Sequence, residues 1–418
     1  MSTFQQTNAE EQAFSEKTLS PRIAVYTHDT FGLGHIRRCL NIIHQLSREM
    51  PHAAILLVTG SPALQYLKDL PSNVDIVKIP TIVKTGAKGS LPSHIPLGLP
   101  EIALLRSRII RETILAYQPD VFMVDNFPLG AQSELFPLLK DLKPLHTKTI
   151  LGLRDILDGP EVVRAGWKRQ GVYDVLDRYY DKILIYGVQN IFDAVKEYAI
   201  PHKVAKKVCF CGYLTTNEPI ARSPETIKEE YGVEGPLILA TGGGGGDAFP
   251  LLSTLIEAVS YVKEGSTLIF TGPLMGEADR QELISQASGN PNIKIEEFVK
   301  DLRPYMLAAD AVVTMCGYNI AAEIIHNGAK AIVVPRTWRF GEHSKRKQTW
   351  EDKEQIMRAE ILAKYGLVKF LKPDELTPEK LAEKISETLS GSLPVPNVTK
   401  INVEGLQNAV RHIRETIS

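Results

Sequence analysis

The sequence predicts an α/β protein made of two doubly wound parallel-sheet domains that face each other across a cleft. Three observations carry that expectation. Short apolar runs of strand length alternate with stretches of helical spacing from Arg22 to Leu371, the pattern of parallel sheets covered by helices on both faces. The alternation lapses once, at Tyr213–Ser223, into the polar run TTNEPIARS. Shortly beyond it, Pro236–Asp247 (PLILATGGGGGD) joins an apolar run to five consecutive glycines.

The elements follow in order. In the first half, apolar runs at Arg22–Thr27, Ala53–Thr59, Val74–Ile79, Val121–Val124, Lys148–Leu153, Lys182–Tyr186 and Lys207–Cys211 read as strands. Helical spacing spans His35–Glu49, Ser61–Asp69, Glu101–Tyr117, a segment from Leu129, and one ending at Ala199. Pro80–Pro100 reads as a long loop, and loops of that length in compact domains are either functional or mobile. The second half has strands at Leu237–Thr241, Thr267–Thr271, Ile293–Phe298, Ala311–Met315, Ala331–Pro335 and Leu367–Leu371. These readings divide the chain into a polar, disordered arm (1–20), an amino-terminal domain (21–213), a linker (214–223), a carboxyl-terminal domain (224–392) and a tail (393–418). The tail has helical spacing over Ile401–Ile417 and is placed to pack back on the first domain.

Composition removes several classes. The 418 residues are 44% hydrophobic and 23% charged, with a net charge of −1, which argues against a nucleic-acid binder driven by bulk charge. Cys39, Cys209, Cys211 and Cys316 lack metal-site spacing and read as reduced thiols of a cytoplasmic protein. No apolar run has the length of a membrane span, and the amino terminus has no signal-peptide core.

The glycine stretch is the strongest chemical signal. A buried strand, a glycine turn and a helix converge unpaired backbone N–H groups on one point, which suits phosphate or another anion. Gly242, Gly243, Gly244, Gly245 and Gly246 let the backbone approach closely. No Gly-Lys-Ser/Thr follows, so this is not a P-loop, and a ligand-free flexible loop is the competing reading.

Four further constellations stand out. His28–Arg38 (HDTFGLGHIRR) lies between the first strand and first helix, where ligands of open α/β sheets bind. Gly32 and Gly34 allow the turn, and His35 at the helix start is either a general base or a polar helix-start residue. Asp125, ending a nearby strand before Pro128, either orients the His35 imidazole or caps a turn. Gly317-Tyr318-Asn319 opens a helix capped by Asn319, with Gly328 at its far end. Glu323 there either accepts bonds from ribose hydroxyls or only complements the helix dipole. In Arg336–Arg358, Arg336, Glu354 and Gln355 are singled out from a charged face.

These motifs resemble a known family. The glycine run, GYNIAAEI and the Glu354-Gln355 helix are similar to the donor half of a GT-B glycosyltransferase, with two Rossmann-like domains. The likeness is nearest to glycosyltransferase family 28, and GLGHIRR, DNFPLG and LRDILD resemble a related group of predicted bacterial glycosyltransferases. The resemblance implies transfer of a sugar from a nucleotide-diphosphate donor, UDP favoured, to an acceptor hydroxyl by a metal-independent inverting displacement. It implies that the glycines contact the diphosphate or lie over the sugar. Gly317 and Asn319, with Tyr318 between them, would present the helix N-terminus to phosphate. Glu323 would hold ribose, and Glu354 and Gln355 the sugar. Arg336 falls on the donor side. His35 and Asp125 would be the catalytic pair, and Gly32, Gly34, Arg37, Arg154 and Asp155 would lie on the acceptor side. Tyr318 departs from the small residue common at that position. No cofactor or metal is expected, and no nucleic-acid partner. The acceptor is left unnamed, a lipid-linked one being among those it admits, and residues 80–111 are left open between a peripheral contact with the inner face of the membrane and a cleft-covering loop with an ordinary basic helix. A nucleotide-sugar 2-epimerase of the same fold, or a degenerate nucleotide-sugar binder, is the alternative.

Overall fold

The computed structural model describes residues 20–28, 34–62, 70–84, 90–262, 265–336, 353–391 and 401–417. Gly32, Lys88, the helix expected over most of Ser61–Asp69 and the centre of the basic segment after Arg336 lie outside them.

The amino half folds around a seven-stranded, wholly parallel sheet in the order β3-β2-β1-β6-β7-β8-β9. Its strands are β1 (Arg22–Thr27), β2 (Ala54–Thr59), β3 (Val74–Lys78), β6 (Val121–Asp125), β7 (Lys148–Arg154), β8 (Lys182–Tyr186) and β9 (Val208–Phe210). β1 and β6 are buried along nearly their whole length, as apolar runs under helices on both faces should be. The helix Gly34–Glu49 buries Ile36, Cys39, Leu40, Ile43 and Leu46, one apolar stripe at helical spacing.

The carboxyl half has a six-stranded parallel sheet, β12-β11-β10-β13-β14-β15. Its members are β10 (Leu237–Thr241), β11 (Ser266–Phe270), β12 (Ile293–Glu296), β13 (Ala311–Thr314), β14 (Ala331–Val333) and β15 (Lys369–Phe370). In each sheet the order reverses once, between β1 and β6 and between β10 and β13. Such reversal points leave a crevice at the carboxyl ends of the two strands.

Several details differ from the sequence reading. Pro80–Pro100 contains an antiparallel pair, β4 (Ile82–Lys84) with β5 (Ser90–Pro92). The following helix runs Leu99–Tyr117, starting before Glu101, because the Glu101 carboxylate accepts from the Gly98 N–H at 2.8 Å and caps it. The helix expected from Leu129 is confined to Phe136–Leu142, since Asn126, Gly130 and Ser133 take positive φ of 64°, 80° and 60°. The first residues of the polar lapse, Tyr213, Leu214 and Thr215, are buried, with Leu214 bridged to Glu404. The helix Gly405–Ile417 returns to the amino half, packing on the helix Gly34–Glu49, and Arg414 meets Glu49 at 2.8 Å.

Candidate active site

The two reversal points face one another across a cleft of about 640 Å³ lined by both halves. On the amino side the register sets Thr27 opposite Asp125, so the turn after β1 and the end of β6 meet. On the carboxyl side Thr241 pairs with Thr314, bringing the glycine run beside the N-terminus of the helix Tyr318–Asn327.

His35 lies on the cleft wall in the first turn of its helix, and its Nδ1 is 2.8 Å from Asp125 Oδ2. Arg38, one turn on, donates from Nε to Asp125 Oδ1 at 2.9 Å and from Nη2 to Oδ2 at 2.6 Å. Asp125 is fully buried. Burial opposes its ionisation, but Arg38 and His35 outweigh that and hold the carboxyl below the usual carboxylate range. Asp125 Oδ2 only accepts, so its 2.8 Å contact with Nδ1 is a hydrogen bond in the tautomer with hydrogen on Nδ1, whereas Arg38 Nη2, 2.7 Å from the same nitrogen, donates to it in the other. Burial lowers the His35 pKa to about 4, with Arg38 and Arg154 adding to the effect and Asp125 opposing it. At neutral pH the ring is therefore uncharged, and with hydrogen on Nδ1 it is Nε2 that carries the lone pair able to take a proton. His28 packs edge-on against His35 at 4.5 Å between ring centroids, and Phe127 against His28 at 4.3 Å.

Opposite stands the glycine loop. Gly243 and Gly245 have positive φ of 60° and 94°, and a Cβ on Gly242 would lie 2.5 Å from Ala248 Cβ and 2.8 Å from Thr271 O. The run is pinned to the next loop, with Leu274 N–H donating to Gly244 O at 2.8 Å. The helix begins at Phe249, so a second turn separates it from the glycines. Gly242 to Gly246 all line the cleft. Asp247 at the loop's end holds Arg336 at 2.6 Å, and the Arg336 N–H donates to Gln355 Oε1 at 3.1 Å. Arg336 and Gln355 thus brace the loop from the cleft wall.

Gly34, Arg37, Arg154, Gly317, Tyr318, Asn319 and Glu354 also line the cleft. Asp155 does not: its carboxylate is buried between Arg358, at 3.2 Å, and the Tyr213 hydroxyl, at 3.1 Å, where it ties the halves together. Glu323 is also off the wall, its Oε1 taken by Arg37 at 2.9 Å. Asn319 does not cap its helix, because Gly317 holds that position; its Nδ2 reaches across to donate to Gly34 O at 3.0 Å. The Tyr318 hydroxyl accepts from Leu214 N–H, so only its ring and backbone serve the cleft. Glu354 is nearly buried, paired with Arg154 at 2.6 Å and Arg358 at 2.8 Å. Among the described residues no group of three His, Cys, Asp or Glu is placed to hold a metal ion.

Sequence reasoning gave no role to Arg38, Arg358, or the apolar wall of Leu157, Val162, Val163 and Trp167, which comes mainly from the helix Pro160–Gln170. The i,i+3 spacing of His35 and Arg38 was a usable signal, since it sets both on one helix face.

Residues 238–413 match the glycosyltransferase family 28 C-terminal domain. A UDP-N-acetylglucosamine–N-acetylmuramyl-(pentapeptide) pyrophosphoryl-undecaprenol N-acetylglucosamine transferase of Acetivibrio thermocellus is 26% identical over 297 residues, covering 68% of this chain and 75% of that protein. Among solved structures, the calicheamicin glycosyltransferase CalG4 aligns with a TM-score of 0.61 at 14% identity, covering 95% of this chain and 98% of that one. MurG of Acinetobacter baumannii aligns with a TM-score of 0.55 at 18% identity, covering 95% and 99%. Paired parallel sheets with facing reversal points, together with these matches, define a glycosyltransferase of the GT-B fold. The family match falls within its carboxyl half.

Proposed function

We propose that this protein transfers a sugar from a nucleoside-diphosphate donor, a UDP-sugar by likeness to its relatives, to an acceptor hydroxyl in one inverting displacement. The observation that carries the reading is that His35, held by Asp125, lines the same cleft as the glycine loop and the Gly317 helix N-terminus. His35 Nε2 takes the acceptor proton as the oxygen attacks the anomeric carbon, and the diphosphate leaves with its electron pair. Backbone N–H groups and the helix N-terminus stabilise that charge, with no metal required in the proposal. The wall of Phe127, Leu157, Val162 and Trp167 suits an acceptor with an apolar body beside its hydroxyl. Leu91, Ile95, Leu97, Leu104 and Leu105 are exposed, and a lipid-linked acceptor and a peripheral membrane contact through them are part of the proposal. No helix among the described residues is long and apolar enough to cross a membrane.

The test is product analysis with UDP-N-acetylglucosamine and UDP-glucose against panels of aryl, alkyl and polyprenyl-linked acceptors. The expected result is an acceptor-dependent product with inverted anomeric configuration, formed in excess EDTA and lost in His35→Ala. Epimerised donor without acceptor would replace the transferase reading with an epimerase, and a retained anomeric configuration would remove the single displacement.

A further inference from the structure

Arg38 is among the most completely buried large side chains of the protein, with 2% of its surface exposed. A buried guanidinium carries a large desolvation cost, so its partners show what it does there. Its fork engages both oxygens of Asp125, at 2.9 and 2.6 Å, and Nη2 lies 2.7 Å from His35 Nδ1. Tyr186 from β8 and Tyr318 from the carboxyl half close over it, with ring centroids 5.9 and 5.6 Å from the guanidinium carbon. Both halves of the molecule therefore build its socket.

A carboxylate held by one imidazole alone can turn about its terminal torsion, which is broad. The planar fork removes that freedom, because two parallel bonds fix the carboxylate plane. We propose that Arg38 is a positioning residue for the transfer reaction: its fork fixes Asp125 so that Oδ2 receives Nδ1–H of His35 and Nε2 is left to take the acceptor proton. The inference rests on the reading of His35 as the base.

The same placement has an electrostatic consequence. The groups facing His35 are Arg38 on its own helix, Asp125 on β6, Arg154 at the end of β7, and His28 after β1. Asp125 is the one anion among them, and Arg38 neutralises it. Without the guanidinium, His35 would lose a neighbouring positive charge and face an uncompensated carboxylate. Both changes favour the imidazolium, so the base would protonate at a higher pH.

The experiment is a pH titration by NMR of protein labelled with ¹⁵N-histidine, with the His35 signals assigned by their loss in His35→Gln. In the wild type a neutral ring with hydrogen on Nδ1 is expected from pH 5.5 to 8.5. In Arg38→Met, His35 should titrate inside that window, near or above the ordinary 6.5; a base at 6.5 is about tenfold less available at pH 5.5. Arg38→Lys keeps the charge without the fork, so His35 should stay neutral but divide between its two tautomers. A folded Arg38→Met in which His35 remains neutral and Nδ1-protonated overturns the proposal, as does a wild-type ring protonated on Nε2. Should Arg38→Met fail to fold, Arg38→Lys decides: a single Nδ1–H tautomer there also overturns it. Sugar transfer that survives in His35→Ala would instead bring down the base reading, whatever the titration shows.

Discussion

At the scale of single residues, Glu323 and Gly245 make the sharpest claims. The Glu323 carboxylate is raised above its usual range by burial, with Arg37 opposing, and its Oε2 is buried without a partner among the described residues. An unsatisfied buried acceptor fits a hydrogen-bond donor that arrives with a ligand. If the donor's ribose takes that position, Arg37 must yield the carboxylate. Glu323→Ala should then weaken UDP binding at least about tenfold, since two charge-assisted bonds contribute roughly 1.5–3 kcal/mol each and about 1.4 kcal/mol corresponds to one decade. Arg37→Ala should leave affinity equal or tighter. Calorimetry with UDP decides, and unchanged affinity in a folded Glu323→Ala places the nucleotide elsewhere. Gly245→Ala forces a Cβ into a φ of 94° against Thr271 O and the Gly272 backbone, which costs about 1–2 kcal/mol or more in strain alone. That variant should lower both Tm and UDP affinity, and a wild-type value of each would show that the loop needs no glycine there.

At the scale of elements, the helix Leu99–Tyr117 and the segment before it carry the proposed membrane contact. Leu91, Ile95, Leu97, Leu104 and Leu105 are exposed there. Two of the arginines there are engaged within the protein. Arg106 is buried, bound to Glu134 at 2.7 Å and close to the Tyr26 hydroxyl, and so is a core residue. Arg111 is tied to Asp141 and Glu112. Arg108 is exposed, and each basic residue near an anionic surface contributes only about 1 kcal/mol. Binding to anionic liposomes is therefore expected to depend more on the leucines than on salt. Leu104→Ser/Leu105→Ser should reduce co-sedimentation more than raised ionic strength does. Equal sedimentation of variant and wild type would remove this surface from the account.

At the scale of the whole molecule, the halves are joined through buried charge. Arg358 reaches Asp155 at 3.2 Å, Glu354 at 2.8 Å and Cys316 O at 3.1 Å, while Arg154 crosses to Glu354. Removing one member leaves the others buried and unpaired, at a cost of about 3–5 kcal/mol. Arg358→Met should lower Tm by on the order of 10 °C, and adding Asp155→Asn should restore part of it. An unchanged Tm would mean that the network adds nothing to stability. Acid acts on the same contacts. Burial opposes ionisation of Glu354, but Arg154, Arg358 and Arg336 overcome it and bring the carboxyl to about 2. A carboxyl lowered on folding gives stability that is present above its unfolded value and lost as pH falls through the folded one. His35, lowered from 6.5 to about 4, likewise favours the folded state only while neutral. Thermal melts should therefore show stability falling from about pH 6.5 towards 4 through His35, and further from about 4.5 towards 2 through Glu354.

The sequence alone determined the two parallel sheets and marked the glycine loop that follows β10. Apolar runs of strand length, separated by helical spacing, leave little choice but parallel sheets, and glycines after a buried strand mark a close backbone approach. Those signals are local, carried by neighbouring residues. Only the tertiary structure decided the rest. It brought His35 and Arg38 together onto Asp125, 90 and 87 positions away in the chain. It turned Asp155 inward to Arg358, gave Glu323 to Arg37, sent Asn319 to Gly34 rather than to its own helix end, and buried Arg106 on a helix whose Arg108 is exposed. Each of those outcomes depends on which charged group a fold brings within about 3 Å of another. A charged side chain pairs wherever burial leaves it no water, and that place is chosen by sheet order and domain packing rather than by its neighbours in sequence.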